Sequence, residues 1–281
     1  MSRRGQLAAL LASLMGSAAC SDGTQYIGSH AGTGVSPAAD CAKPEPMPPT
    51  LQLAPFYEKY IDARGIPVVG SAGVSDLALE RACDISIHVL AERADVRARM
   101  VANDLRVVVI ARDEVMTDIP EYRDLYTLAP NLDWDKEARG TGPARGGIPI
   151  ASAGEENLLC SSDDLFRGET LLVFALGHAL RALGIVDVEP QFEARVRAAY
   201  DHAMAAGLWS DTHAGRSAEQ YWAEGVQDWF DANREALPAP DGLHNAINTR
   251  AELKAYDPGL AAIVAEYVPE DAWRPRCLAQ P

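Results

Sequence analysis

The amino-acid sequence predicts an α+β domain, because strand patterns fall in the first half of the chain and helical patterns in the second. Residues 106–111 contain an unbroken apolar run bounded by charged turns, which is typical of a buried strand. In residues 169–184 and 219–231, apolar side chains recur every three or four positions, which predicts two amphipathic helices. We therefore expect a small mixed sheet followed by a helical C-terminal half.

The remaining elements are predicted from the same periodicities and from turn residues. They are a short helix at 56–63, a strand at 66–69, one long or broken helix at 76–100, a loop at 117–120, a strand beginning at 148, a helix at 192–206, and one or two helices within 251–267. The glycine-rich stretch 139–147 follows no strand and lacks the Gly-Lys-Ser of a phosphate-binding loop, so it is interpreted as a turn.

The first amphipathic helix, at 169–184, carries Phe174 and His178 four residues apart, so both side chains project from one face. Gly184 is interpreted as the residue that ends this helix. In zinc peptidases with a His-Glu-x-x-His helix, two histidines at this spacing bind the metal and the glutamate is the general base. Here phenylalanine stands at the first histidine position and Ala175 at the glutamate position.

The second amphipathic helix carries two carboxyl groups one turn apart, Glu224 and Asp228, and Ser217 is its expected N-cap. In the gluzincin class of zinc peptidases, a glutamate on such a helix is the third zinc ligand. An aspartate one turn later supports a ligand histidine there. The pair is also consistent with an ordinary solvated helix face.

Three motifs together resemble those of a family of secreted bacterial gluzincin-like proteins. They are Glu155-Glu-Asn-Leu-Leu, Gly168-Glu-Thr-Leu-Leu-Val and Tyr221-Trp-Ala-Glu-Gly-Val-Gln. The similarity spans residues 56–273 and extends distantly to the catalytic domain of anthrax-lethal-factor-like peptidases. It implies a zincin-like metallopeptidase fold, with a small mixed sheet and an active-site helix.

Carried over position by position, the resemblance implies that His178 and Glu224 stand at metal-ligand positions and Asp228 at the position of the supporting carboxylate. Phe174 stands where the family has a metal ligand, and Ala175 stands where it has the general base. His213 lies near the place of a tyrosine that steadies the oxyanion. The zinc-binding motif is therefore degenerate.

Loss of a zinc ligand and of the general base predicts a protein without peptidase activity, because the base alone contributes roughly 10²–10⁴-fold. The leading hypothesis is a pseudopeptidase that uses no cofactor and binds a protein or peptide partner. A second hypothesis is an active zinc-dependent metallopeptidase or hydrolase whose rearranged metal site is completed by His213. A third is a structural protein of the cell envelope.

The N-terminus has the pattern of a secretion signal over residues 1–20, with two arginines ahead of an apolar core too short to span a membrane. Cys20 is predicted to be the lipidated first residue of a lipoprotein, with ordinary secretion as the alternative. Residues 21–50, rich in Gly, Ser, Ala and Pro, are predicted to tether a domain at 51–281. We expect a cell-envelope or secreted protein that contacts the membrane only through its lipid anchor, with no later membrane-spanning segment.

The net charge of the chain bears on its possible partners, and its cysteine content bears on disulfide formation. The net charge of −15 argues against binding to nucleic acid, which requires a basic face. If Cys20 is lipidated, four cysteines remain, and an even number in an exported chain predicts one or two disulfides. These cysteines are Cys41, Cys83, Cys160 and Cys277, which allow three pairings.

The two amphipathic helices also predict how the pKa of His178 is shifted. If both are placed as in the zincin pattern, His178 lies within hydrogen-bonding reach of Glu224. A nearby carboxylate stabilises the imidazolium, so the pKa of His178 is predicted to be raised.

Overall fold

A five-stranded mixed sheet forms one layer of the computed structural model, which describes residues 41–275 apart from Ala129 and Asn131. Its strands are β1 (Glu45–Pro46), β2 (Lys59–Ala63), β3 (Ile66–Gly70), β4 (Arg106–Ile110) and β5 (Ile150–Gly154). They lie side by side in chain order. The pairs β1/β2 and β2/β3 are antiparallel, whereas β3/β4 and β4/β5 are parallel. With the helices described next, this confirms the α+β class.

Helices pack against the sheet, and they outnumber strands in the second half of the chain. They are α1 (Asp76–Val89), α2 (Ala94–Ala102), α3 (Leu125–Leu128), α4 (Trp134–Glu137), α5 (Glu155–Leu158), α6 (Leu171–Ala179), α7 (Val186–Val188), α8 (Phe192–Ala205), α9 (Ala218–Trp229), α10 (Arg250–Tyr256) and α11 (Pro258–Val264). The predicted helix at 76–100 is therefore broken into two, and the C-terminal pattern also forms two helices. Within the predicted loop at 117–120, two short 3₁₀ turns, Met116–Asp118 and Pro120–Tyr122, are separated by Ile119.

Strand β4 is buried on both faces, which explains its unbroken apolar run. Val107 and Val109 pack into the larger core, which includes residues of α1, α6 and α9. Val108 and Ile110 pack on the opposite face into a smaller core with Trp134. The side chains therefore alternate between two hydrophobic cores, and the larger one supports the helices that carry the predicted site.

The predicted helix at 56–63 is wrong, because this stretch contains β2. Strand β2 forms a hairpin with β3, in which Ala63 pairs with Ile66. The two residues between them, Arg64 and Gly65, have φ values of 55° and 93°. Positive φ at both central residues is typical of the tight turn that favours a β-hairpin over a helix.

The prediction that Gly184 ends the first amphipathic helix is also wrong. After α6 the chain continues through a π-helical segment, Leu180–Ile185, into α7. A Cβ atom at Gly184 would lie 2.6 Å from Val96 Cγ1 of α2. Glycine is therefore required here for close packing between helices and does not mark a helix end.

Helix α9 begins as predicted, with the Ser217 hydroxyl accepting a hydrogen bond from Gln220 N at 3.2 Å. It packs directly on α6. A Cβ atom at Gly177 would lie 3.2 Å from Ala223 Cα, so glycine lets the two helix backbones approach closely. This contact brings His178 and Glu224 into one buried region.

The N-terminal boundary of the fold differs from the predicted tether at 21–50. Strand β1 pairs with β2, and a disulfide joins Cys41 to Cys83 of α1. The end of the predicted tether therefore belongs to the folded domain. Cys160 is also disulfide-bonded. The predicted signal at 1–20, the lipidation residue Cys20, most of the tether and Cys277 lie outside the described residues.

The segment Leu171–Val188 has the length and hydropathy of a membrane span, with a mean hydropathy of 1.8 over 18 residues. The expectation that no later segment reaches this length and hydropathy is therefore wrong. However, 78% of this window is buried inside the protein. Its helix lies between β5 and α9, and such burial is typical of the core helix of a globular domain.

We predict that replacing both Cys41 and Cys83 by alanine lowers the free energy of unfolding by about 2–4 kcal/mol, because the disulfide closes a long loop in the unfolded chain. The two cysteines are separated by 42 residues. Urea unfolding of the variant and the wild type without reductant measures the difference. Equal midpoints would show that the bridge contributes no stability.

Candidate functional site

A group of buried polar side chains lies where α6 and α9 meet the loops that flank α9. We call it the polar cluster; its members are His178, His213, Gln220, Glu224, Asp228 and Asn233. Each of these residues is buried. Buried polar groups are costly unless their hydrogen bonds are satisfied, so the pairing within the cluster determines its chemistry.

Glu224 has a donor on each carboxylate oxygen. Oε1 lies 2.8 Å from His213 Nδ1, and Oε2 accepts a hydrogen bond from Asn233 Nδ2 at 2.8 Å. The same Asn233 amide nitrogen donates to Asp228 Oδ1, also at 2.8 Å. One amide group thus bridges the two carboxyl groups of α9.

The predicted hydrogen-bond pairing of His178 with Glu224 is wrong. His178 Nε2 instead lies 3.2 Å from Gln220 Oε1, one helical turn before Glu224. The partner of Glu224 is His213, which precedes α9 and is held by a backbone hydrogen bond from His213 N to Leu243 O at 2.7 Å. The structure therefore brings His178, Glu224 and His213 together but pairs them differently from the prediction.

The predicted rise in the pKa of His178 is also wrong. Burial, reinforced by the charges of Arg181 and His213, lowers the pKa of His178 to about 3. The Glu224 charge acts in the opposite direction but is outweighed. His178 is therefore a neutral, buried imidazole at physiological pH.

The two carboxyl groups of α9 have opposite pKa shifts. Burial alone would raise the pKa of Glu224, but its hydrogen bond with His213 and the nearby charges outweigh burial, and the net shift is downward. Burial and the charge of Glu224 raise the pKa of Asp228 well above its usual value. The surroundings therefore favour the charged form of Glu224 and the protonated form of Asp228.

Phe174 lies against both imidazoles of the cluster. Its ring centroid is 4.8 Å from that of His178 and 5.5 Å from that of His213. Ala175 follows it on α6 and is buried. A Cβ atom at Gly142 would lie 2.6 Å from Ala175 O, so the glycine-rich loop packs directly on α6 here.

The residues present do not fit a catalytic zinc ion, which requires three protein ligands and an open position. Both oxygens of Glu224 have hydrogen-bond donors at 2.8 Å, and an aromatic ring stands at the Phe174 position. Among the residues that the structure describes, no group of three or more His, Cys, Asp or Glu side chains could hold a metal ion.

A cleft of about 340 Å³ opens beside the polar cluster. We call it the His213 cleft; its lining includes Glu137, Gly140, Thr141, Leu165, Phe166, Glu169, Leu171, Phe174, His213, Glu224, Arg234, Asp241, Leu243 and His244. His244 Nε2 lies 3.6 Å from Glu169 Oε2. Burial alone would lower the pKa of His244, but the Glu169 carboxylate outweighs it, and the net shift is upward.

A larger cavity of about 540 Å³ also borders the glycine-rich loop. Its charged wall contains Arg181, which donates to Glu193 at 2.9 Å and to Glu219 at 3.0 Å. Arg181 is therefore already paired with two carboxylates of the same wall. The His213 cleft is therefore the better candidate site, because it adjoins the polar cluster.

Sequence reasoning missed Asn233, Gln220 and His244. Gln220 lies one turn before Glu224, so the helical spacing could have included it. Asn233 and His244 lie in the loop after α9 and have no regular spacing from the predicted site residues. Only the folded loop brings them to the cluster and the cleft.

Comparison with known proteins finds no matching family model. No curated protein and no solved structure matches the chain either.

We predict that Asn233→Ala lowers the free energy of unfolding by about 2–4 kcal/mol, because it removes donors from two buried carboxyl groups. The control Asn248→Ala changes a half-buried asparagine outside the cluster. It should cost no more than about 0.5 kcal/mol. Urea unfolding of the two variants tests this, and equal losses would contradict the bridging role of Asn233.

Histidine titration provides a second test of the cluster. Since the pKa of His178 is lowered from 6.5 to about 3, its stabilising contribution is fully present above pH 6.5 and is lost as the pH falls toward 3. NMR at pH 5.5 should find His178 neutral. His244, whose pKa is raised, should be more than half protonated at pH 6.5. A midpoint for His178 at or above pH 6.5 would contradict this pairing.

Proposed function

We propose that this chain is a catalytically inactive zincin-like protein that acts by binding a partner in the His213 cleft. The main support for the proposal is that protein side chains fill the positions where the family binds its metal. Phe174 lies against His178 and His213, while Glu224 is bonded to His213 and Asn233. The ligand positions are therefore used for packing and hydrogen bonding.

The zincin-like part of the proposal rests on the three sequence motifs and on the contact between two helices. Helix α6 packs between β5 and α9. His178 on α6 and Glu224 on α9 are both buried in that contact region. This arrangement supports an active-site helix facing a glutamate helix, which is the geometry that the resemblance implies.

Loss of catalysis follows from the side chains at positions 174 and 175. A hydrolytic zinc site needs a bound water and a group to accept its proton. Alanine cannot accept a proton, and phenylalanine cannot bind zinc. Since the base alone contributes roughly 10²–10⁴-fold, its loss is sufficient to remove efficient peptidase chemistry.

The second candidate is an active zinc enzyme with a rearranged metal site, and the closeness of His213 to Glu224 favours it. Their contact, however, is a 2.8 Å hydrogen-bond distance between Nδ1 and Oε1. A purely structural envelope protein, the third candidate, requires no cleft. The cleft beside the cluster therefore favours a binding role.

The proposed location is the cell envelope, with a lipid anchor at Cys20 as the membrane contact, or secretion without that anchor. The Cys41–Cys83 disulfide supports an oxidising compartment. The proposed partner is a protein or peptide, and the excess of acidic residues argues against nucleic acid.

Zinc binding tests the proposal. Purified wild type should contain well under one zinc ion per chain, and zinc should not shift its melting temperature. Phe174→His restores the third ligand of the family pattern. It should melt lower than wild type in chelator, because a buried imidazole replaces an aromatic ring. Zinc at about 100 times its Kd should then raise its melting temperature by about 5–10 °C.

The matched control is Phe56→His, which introduces histidine at a half-buried phenylalanine that packs against the smaller core. Its melting temperature should not respond to zinc. Stoichiometric zinc in the wild type would favour the rearranged enzyme. A zinc response of Phe174→His no larger than that of the control would refute the proposed ligand geometry.

A further inference from the structure

Helix α5 holds two elements that frame the His213 cleft. Glu156 Oε2 accepts a hydrogen bond from Arg139 Nη2 at 2.9 Å, and Arg139 leads into the glycine-rich part of the cleft wall. Asn157 Oδ1 accepts a hydrogen bond at 2.9 Å from the backbone N–H of Leu171, the first residue of α6. The position of α5 therefore bears directly on the shape of the cleft.

Cys160 follows α5 by two residues and is disulfide-bonded. The chain contains five cysteines, and Cys41 and Cys83 are bonded to each other. Within one chain, the partner of Cys160 is therefore Cys20 or Cys277. Both candidates lie outside the described residues, so the surroundings of Cys160 decide between them.

The C-terminal segment, which we define as residues 269–275, runs from α9 to α1. At its start, Trp229 Nε1 of α9 donates a hydrogen bond to Pro269 O at 2.9 Å. Farther along, the ring of Trp273 stacks on that of His88 in α1, with ring centroids 4.5 Å apart. These contacts bring the segment to the side of the domain where α1 packs against α5.

Pro275 is the last described residue of this segment, and it lies beside α5. It is buried, and it lines a small cavity together with Asn157 and Leu158. Cys277 follows Pro275 by two residues, and two residues of extended chain span about 7 Å. Cα atoms joined by a disulfide lie about 4.4–6.8 Å apart. This short connection allows Cys277 to reach Cys160.

Cys20 is the less favourable partner. The predicted tether separates it from Cys41, the first described residue. The effective concentration of one group near another falls as the flexible chain between them lengthens. Cys277 is only two residues from a buried proline beside α5, so its effective concentration near Cys160 is higher. Lipidation, as proposed, would also remove the free thiol of Cys20.

We infer that a second disulfide joins Cys160 to Cys277 and fixes the C-terminal segment to α5. Two S–H bonds break and one S–S bond forms. The two protons and two electrons pass to a protein disulfide of the exporting compartment, which is thereby reduced to a dithiol. The cross-link ties this part of the chain to the helix that frames the cleft, and it requires neither zinc nor a binding partner.

Peptide mapping of the full chain without reductant tests the pairing, with free thiols alkylated first. Trypsin releases Cys160 in residues 146–167 and Cys277 in residues 277–281. Mass spectrometry should find these two peptides joined, and a reductant should separate them. Digestion at mildly acidic pH prevents exchange of the disulfides, because the attacking species is a thiolate.

Two serine variants provide matched changes of a single cysteine. Cys277→Ser should lower the melting temperature by about 5–10 °C, because the disulfide closes a long loop in the unfolded chain. Cys20→Ser removes the other candidate partner. It should leave both the linked peptides and the melting temperature unchanged.

The inference is overturned if Cys160 or Cys277 is alkylated in the wild type, or if Cys160 is joined to any peptide other than residues 277–281. It is also overturned if Cys277→Ser melts no lower than Cys20→Ser. Mapping of the wild type decides the pairing even if Cys277→Ser does not fold. The zinc measurements test the inactive-zincin proposal separately.

Discussion

The buried carboxylate of Glu224 is the constraint on which the rest of the site depends. Burying a charged group costs several kcal/mol unless hydrogen-bond donors in the protein replace its water shell. His213 and Asn233 supply those donors, each at 2.8 Å. They come from opposite ends of α9, so both flanking loops must fold back onto the middle of the helix. The hydrogen bond from His213 N to Leu243 O then ties one loop to the other and closes the rim of the cleft.

Elements fixed by local pattern could be predicted, and elements fixed by distant partners could not. Strand β4 and helix α9 were predicted because an apolar run, a helical period and the Ser217 cap are all local signals. The stretch 56–63 was wrongly predicted as a helix. It forms a strand instead, because the turn at Arg64 and Gly65 lets it pair with β3. The role of Gly184 depends on Val96 of α2, which lies far away in the sequence.

The same distinction holds inside the candidate site. The spacing of Phe174 and His178 predicted that they share one helix face, and the resemblance implied that Glu224 lies near them. All three lie around one buried region. Their hydrogen-bond pairing could not be predicted, because Glu224 can accept from any donor that the loops deliver. His213 reaches it, while His178 contacts Gln220. A one-turn difference on α9 thus decides whether His178 faces a carboxylate or an amide. The direction of its pKa shift is set mainly by burial, which outweighs the opposing effects of Gln220 and Glu224.

Charge balance links these pairings to the loss of metal chemistry that we propose. A divalent cation can neutralise two nearby carboxylates, and without one the cluster must balance the charge by other means. At Asp228, burial and the charge of Glu224 raise the pKa, which favours the uncharged carboxyl group. Glu224 remains charged but is compensated by His213 and Asn233. The neutral His178 then needs no counterion, and the apolar ring of Phe174 can pack against it without stranding a charge. The aromatic residue at position 174, the lowered pKa of His178 and the raised pKa of Asp228 are therefore three parts of one electrostatic arrangement.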